Sequence, residues 1–145
     1  MKRFHFPLER VRRWRSEQVS LEELKLQQLR SELARLAGLK LEIEEEAAES
    51  ARLVLAQPAI DPLELTSLES YKLHLRRRVY EIENLRRQCE AKVAEQLQRV
   101  MEARRQFELL DRLHEKAKRE WVAEGNKEQE QIAAELFLAK AVRER

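Results

Sequence analysis

Histidine, cysteine and clustered carboxylates are the side chains through which a small chain holds a metal or attacks a substrate, and here their spacing argues against both. His5, His74 and His114 are spread over the length of the chain, with no i,i+4 pair and no second ligand close by. That spacing predicts no metal site. His114 falls within an apolar stripe, where it reads as a tolerated polar interruption. Cys89 is the only cysteine, so no intramolecular disulfide is possible. It too lies in a stripe of apolar residues and reads as a small buried side chain rather than a nucleophile. No serine or cysteine has a base fixed near it by a recognisable motif. Gly38 and Gly125 stand alone, so no phosphate-cradling loop is present. Glu42, Glu44, Glu45, Glu46 and Glu49 form an acidic run that reads as a helix surface facing Arg76, Arg77 and Arg78 across a hairpin. The expectation is a chain with no catalytic residues, no cofactor and no metal.

Two other clusters point to binding. Residues 2–15 carry Lys2, Arg3, Arg10, Arg12, Arg13 and Arg15 against the single Glu9, interleaved with Phe4, Phe6 and Trp14. Arginine with aromatics binds nucleic acid, an anionic membrane or a protein with an acidic rim. The plainer reading is a basic helix end that packs its aromatics on a neighbouring helix. Near the other terminus Trp121, Ile132, Leu136 and Phe137 stand among charges. An apolar stripe without a partner helix must find another cover.

The elements that position these residues follow from composition. The chain has 145 residues, 39% of them charged, with only 2 Gly and 3 Pro. Sandwiches, barrels and doubly wound sheets need those two residues at their many corners, so the chain reads as all-α. A formal net charge of +2 makes it neither a disordered polyelectrolyte nor a uniformly basic coat for nucleic acid. No apolar run approaches the roughly 20 residues of a membrane span, and no apolar core follows Met1-Lys2-Arg3 as in a signal peptide. A lone cysteine suits a reducing compartment, and a cytoplasmic protein is expected.

Punctuation places the helices. Pro7 suits a first turn, and Pro58 disfavours helix at Gln57. Asp61-Pro62-Leu63-Glu64 reads as a capped restart, and Thr66 with Glu69 as a second candidate capping box. The expected elements are a helix over about 7–57, a turn at 58–61, a helix over about 62–124 and a short helix over about 127–142 after a break at Gly125-Asn126. The two long helices would measure about 75 and about 90 Å. A single coiled-coil domain over 1–145 is expected.

The seam can be counted. Spacing of four and three selects Leu26, Leu29, Leu33, Leu36, Lys40, Ile43, Ala47, Ser50 and Val54 in the first helix. In the second it selects Leu68, Tyr71, Leu75, Arg78, Ile82, Leu85 and Cys89, then jumps by four to Val93, Gln96, Val100, Ala103, Phe107, Leu110, His114, Ala117 and Trp121. Such a jump predicts a local stutter. Folding at 58–61 sets Leu29 against Cys89, Leu33 against Leu85, Leu36 against Ile82, Lys40 against Arg78, Ile43 against Leu75, and Ala47 against Tyr71. The prediction is a long antiparallel two-helix coiled-coil hairpin whose second helix overhangs the first beyond about residue 111. The Arg/aromatic cluster and the apolar overhang then share the open end. Arg10, Arg12, Arg13 and Trp14, within about one and a half turns, should spread around that tip.

Three stretches resemble the flagellar export protein FliJ family: Met-Lys-Arg-Phe-His-Phe-Pro-Leu-Glu-Arg-Val-Arg-Arg-Trp-Arg (1–15), Ser-Leu-Glu-Ser-Tyr-Lys-Leu-His-Leu (67–75), and Leu-Leu-Asp-Arg-Leu-His-Glu-Lys (109–116) leading into Trp121 and Glu128-Gln129. The apolar Ala133-Ala134-Glu135-Leu136-Phe137 departs from the Asp/Glu-rich tail expected of that family. The resemblance implies a non-catalytic stalk of the type III export apparatus, similar to the coiled coil of the rotary ATP synthase gamma subunit. Its implied partners are a hexameric export ATPase, the cytoplasmic domain of the export gate, and export chaperones. It implies a place at the cytoplasmic face of the inner membrane, with membrane contact only through the apparatus, and no nucleic acid. It also implies that the open end, Phe4, Phe6, Arg10, Arg12, Arg13, Trp14 and Trp121, meets the ATPase, and that Tyr71, His74, Leu75 and Arg78 on the tip side meet the gate. The equivalent stalk of a virulence secretion system and an Arg-rich binder of nucleic acid or anionic membrane are the alternatives.

Overall fold

A computed structural model describes residues 2–145. The described residues form two long helices packed against each other as a hairpin, with no strand among them. The first helix, α1, spans Glu9–Leu55 (47 residues). The second, α2, spans Pro62–Arg143 (82 residues). Asp61 caps α2: its Oδ1 accepts from Leu63 N–H at 3.0 Å and its carbonyl from Leu65 N–H at 3.2 Å. Pro62 takes the first helical position, where a missing N–H is harmless. Thr66 is no cap. Its hydroxyl donates to the Pro62 carbonyl at 3.0 Å from inside the helix.

The chain divides into two compact units, 22–100 and 2–21 with 101–145. In the 22–100 unit, Leu36, Ile43, Leu75, Ile82 and Cys89 form one buried cluster, with Leu33, Leu39, Ala47, Tyr71 and Val79 packed on it. Burying an aliphatic side chain of this size stabilises by about 1.5–3 kcal/mol, which sums along a seam to more than helix propensity supplies. The expected register is visible in two polar contacts. The Cys89 thiol donates to the Leu29 carbonyl at 3.4 Å, and Gln96 Nε2 donates to the Glu22 carbonyl at 3.0 Å and to the Glu22 carboxylate. These bonds satisfy Gln96, the one buried polar residue of the described core.

Three expectations are corrected. First, the seam of α2 carries its two consecutive spacings of four at Tyr71–Leu75–Val79 and not at Leu85–Cys89–Val93. Val79 and Arg86, not Arg78 and Leu85, turn inward, so Leu75, Val79, Ile82, Arg86, Cys89, Val93, Gln96 and Val100 alternate four and three without interruption. Leu85 is 50% exposed and is not among the residues packed on the core, where the seam had it facing Leu33. Arg86 holds its place because its stem covers apolar surface while its guanidinium binds Glu83 at 3.0 Å and Glu90 at 2.6 Å. Second, Lys40 does not oppose Arg78. Its Nζ lies 2.7 Å from Glu83 Oε1. Third, α2 runs through Gly125 and Asn126 without a break, so no separate terminal helix forms. An isolated glycine costs a helix about 1 kcal/mol, too little to end one with good helix formers on both sides.

The acidic run and the arginine triplet do not pair as expected either. Among the described residues no ion pair joins Glu42, Glu44, Glu45, Glu46 or Glu49 to Arg76, Arg77 or Arg78. Glu49 instead binds Arg52 one turn along, at 2.5 Å, and Glu46 accepts from the Tyr71 hydroxyl. No helix of the described chain is long and apolar enough to cross a membrane.

Candidate functional site

The N-terminal residues fold back on α2 inside the smaller unit. Before α1 begins, the Phe6 carbonyl accepts from Glu9 N–H at 3.1 Å, which turns the chain at Pro7-Leu8. The segment ahead of that turn lies on α2. Phe6 is buried, and its ring meets His114 edge-on with centroids 5.2 Å apart. Phe4 meets the same imidazole at 5.5 Å and the Trp121 indole at 5.8 Å. The Trp121 indole N–H donates to the Lys2 carbonyl at 2.9 Å. Edge-to-face rings at these distances attract through their quadrupoles as well as through buried area. The plainer reading of the N-terminal aromatics thus holds for Phe4 and Phe6 and not for Trp14, which is exposed.

Arg12 belongs to the same internal cluster. Its Nε and Nη2 both donate to Asp111 Oδ1, at 3.2 and 2.9 Å, and its Nη1 donates to Glu9 Oε1 at 3.2 Å. The Phe107 ring lies 5.8 Å away. Donation to Asp111 raises the Arg12 guanidinium above its ordinary range, and Glu9 adds to the effect against the opposing effect of burial. Arg15 donates to the Gln106 amide oxygen and lies 4.6 Å over the Trp14 ring. Glu9 Oε2 and His114 Nδ1 are both buried without a hydrogen-bond partner among the described residues. Their side chains approach no closer than 4.0 Å, from Nε2 to Oε2, too long for a hydrogen bond.

What remains open to a partner is narrower than the sequence suggested. Arg10, Arg13 and Trp14 are exposed, as are Leu8 and Val11 beside them. With Arg12 turned inward, the exposed trio is spaced i, i+3 and i+4. It therefore occupies one face of α1 instead of spreading around a tip. Arg13 also holds Glu9 at 3.4 Å, and Glu17 follows on the same face, so the patch has mixed charge. Such a face suits carboxylates presented singly by a protein more than the continuous charge of a polyphosphate chain.

In the larger unit, Tyr71, His74, Leu75 and Arg78 come together along one groove with Leu39, Glu42, Ile43 and Glu46. Their roles differ. Leu75 is core, and the Tyr71 hydroxyl is engaged by Glu46, which holds the phenol above its usual range. His74 and Arg78 are exposed. No group of His, Cys, Asp and Glu side chains among the described residues could hold a metal ion.

The sequence reading missed that Asp111 and His114 belong to the open-end site. The signal was present in the 109–116 block, but only the fold-back of residues 2–6 shows what those side chains receive. Compared with protein-family models, with curated proteins and with solved structures, the chain matches none.

Proposed function

We propose that this protein is a non-catalytic stalk of a bacterial flagellar type III export apparatus, which binds and stimulates a hexameric export ATPase and touches the export gate. One observation supports the reading above the others. Residues 2–12 and 111–121, from the two stretches that carry most of the resemblance, meet in the structure as one cluster. Phe4, Phe6 and Arg12 from the first interlock with Asp111, His114 and Trp121 from the second. Residues far apart in the chain that carry the resemblance are thus joined physically. The cluster stiffens the start of α1, and Arg10, Arg13 and Trp14 are presented outward from that stiff base. Carboxylates on the wall of a ring-shaped ATPase are suitable receptors, because a guanidinium forms forked bonds to them.

The test is ATP hydrolysis by the cognate export ATPase with and without this protein. Arg10→Glu combined with Arg13→Glu should abolish stimulation while the far-ultraviolet circular dichroism spectrum stays unchanged, since both side chains are exposed. Normal stimulation by that variant would sink the stalk reading. Charge reversal at Arg78 or His74→Ala should leave stimulation intact and weaken binding to the gate domain. A second reading, an Arg-rich binder of nucleic acid or anionic membrane, draws support from the single-faced arrangement of Arg10, Arg13 and Trp14. Under it the same double variant would lose steeply salt-dependent binding to DNA or anionic vesicles, and the wild-type protein would leave the ATPase unaffected.

A further inference from the structure

Residues 126–145 are exposed throughout, and their apolar side chains are not scattered. Ala134, Phe137, Leu138, Ala141 and Val142 follow the i, i+3, i+4, i+7, i+8 spacing of a helix face made for burial. α2 continues as regular helix to Arg143, so these residues do form one stripe. Phe137 is 72% exposed and Val142 73%, about as open as side chains on a helix become. Nothing else among the described residues covers the stripe.

Charge on this segment is divided by sign along its length. Glu128, Glu130 and Glu135 outweigh Lys127 in its first half, and Lys140, Arg143 and Arg145 outweigh Glu144 in its second. A like segment laid parallel would set acid against acid and base against base. Laid antiparallel, it sets each acidic half against a basic half. It also brings Phe137 and Leu138 of the two copies together at the midpoint. A surface complementary to its own antiparallel copy fits a closed twofold contact.

We infer that residues 128–145 form a self-association surface, through which two copies of this chain pair as an antiparallel helical dimer. The contact spans roughly five turns and is smaller than the roughly 800 Å² per partner of a standard interface, so the dimer is a weak one. It does not rest on the stalk reading. ATPase stimulation is tested through Arg10 and Arg13, and self-pairing through the far end of α2.

Sedimentation equilibrium of the full chain from micromolar to sub-millimolar concentration tests the inference. The expected result is a reversible monomer–dimer equilibrium that is lost when Phe137→Glu and Val142→Glu are combined. Two charge-reversed proteins, one with Glu130→Lys and Glu135→Lys and the other with Lys140→Glu and Arg143→Glu, should each be monomeric alone and should pair when mixed. Orientation is read by oxidation in a Cys89→Ser background. Leu138→Cys, close to the twofold axis, should cross-link the dimer, and Gln129→Cys, near one end, should not. A monomer at every concentration overturns the inference, as does a dimer that survives the Phe137/Val142 double change. Efficient cross-linking through Gln129→Cys overturns the antiparallel arrangement. Pelleting with anionic vesicles by a protein that stays monomeric would assign the stripe to a lipid surface instead.

Discussion

His114 sits edge-on between Phe4 and Phe6 while its Nδ1 finds no hydrogen-bond partner, and Glu9 Oε2 beside it is in the same condition. A buried polar atom without a partner carries a desolvation penalty, whereas replacing it by an apolar group of similar shape removes that penalty. His114→Phe keeps a ring in the slot and should raise stability to urea by up to about 1 kcal/mol. A clear loss would mean that the imidazole makes a bond through water. Glu83 presents the opposite case. Arg86 first, and Lys40 second, hold its carboxyl down at about 2 from an ordinary 4.5. A depressed carboxylate stabilises the fold at pH values above 4.5, and that contribution disappears as the pH falls from 4.5 toward about 2. Glu83→Gln should therefore melt below the wild-type protein near neutral pH, and the gap should close in that acidic window. A gap that persists unchanged in acid would show that the ion pairs with Arg86 and Lys40 are not its source.

At the scale of the helix, the seam shows what periodicity reveals and what it misses. Leu36, Ile43, Leu75, Ile82 and Cys89 were all legible from four–three spacing, because each is apolar and none has a large apolar side chain next to it. Arg86 was not legible, and Val79 was passed over for Arg78 by keeping the alternation strict. A count of apolar residues prefers Leu85 to Arg86, and it does not register that an arginine stem covers a seam when Glu83 and Glu90 hold its head. Placing Arg78 and Leu85 in the seam then moved the stutter from Leu75–Val79 to Cys89–Val93. The fold-back of residues 2–6 was invisible for another reason: a segment that is not helical has no period, and only its aromatic content signalled packing. Gly38 gives the element-scale prediction. It lies within α1, its φ is not positive, and a Cβ built there meets nothing within 4 Å. Gly38→Ala should stabilise α1 by about 1 kcal/mol, measured by thermal or chemical unfolding. A destabilised Gly38→Ala protein would reveal a close neighbour at that face.

For the molecule as a whole, each of the two units has its own means of cohesion. The 22–100 unit rests on a continuous aliphatic seam, and the other on an aromatic and Arg12–Asp111 cluster closed by residues 2–6. Deleting residues 2–6 should therefore raise amide hydrogen exchange over 107–121 and leave protection over 30–90 unchanged, because no side chain of the deleted segment packs on the Leu36–Cys89 cluster. Uniformly faster exchange would show that the N-terminal segment supports the whole chain.

The bond from the Trp121 indole to the Lys2 carbonyl has an optical consequence. The chain contains 2 tryptophans, and Trp14 is exposed, so Trp14→Phe leaves Trp121 as the sole indole fluorophore. Its emission then reports directly on whether the first residues are seated. Release of residues 2–6 should move the emission maximum to the red and increase quenching by iodide, so a fluorimeter can follow the opening and closing of this end of the protein in real time as a partner is added.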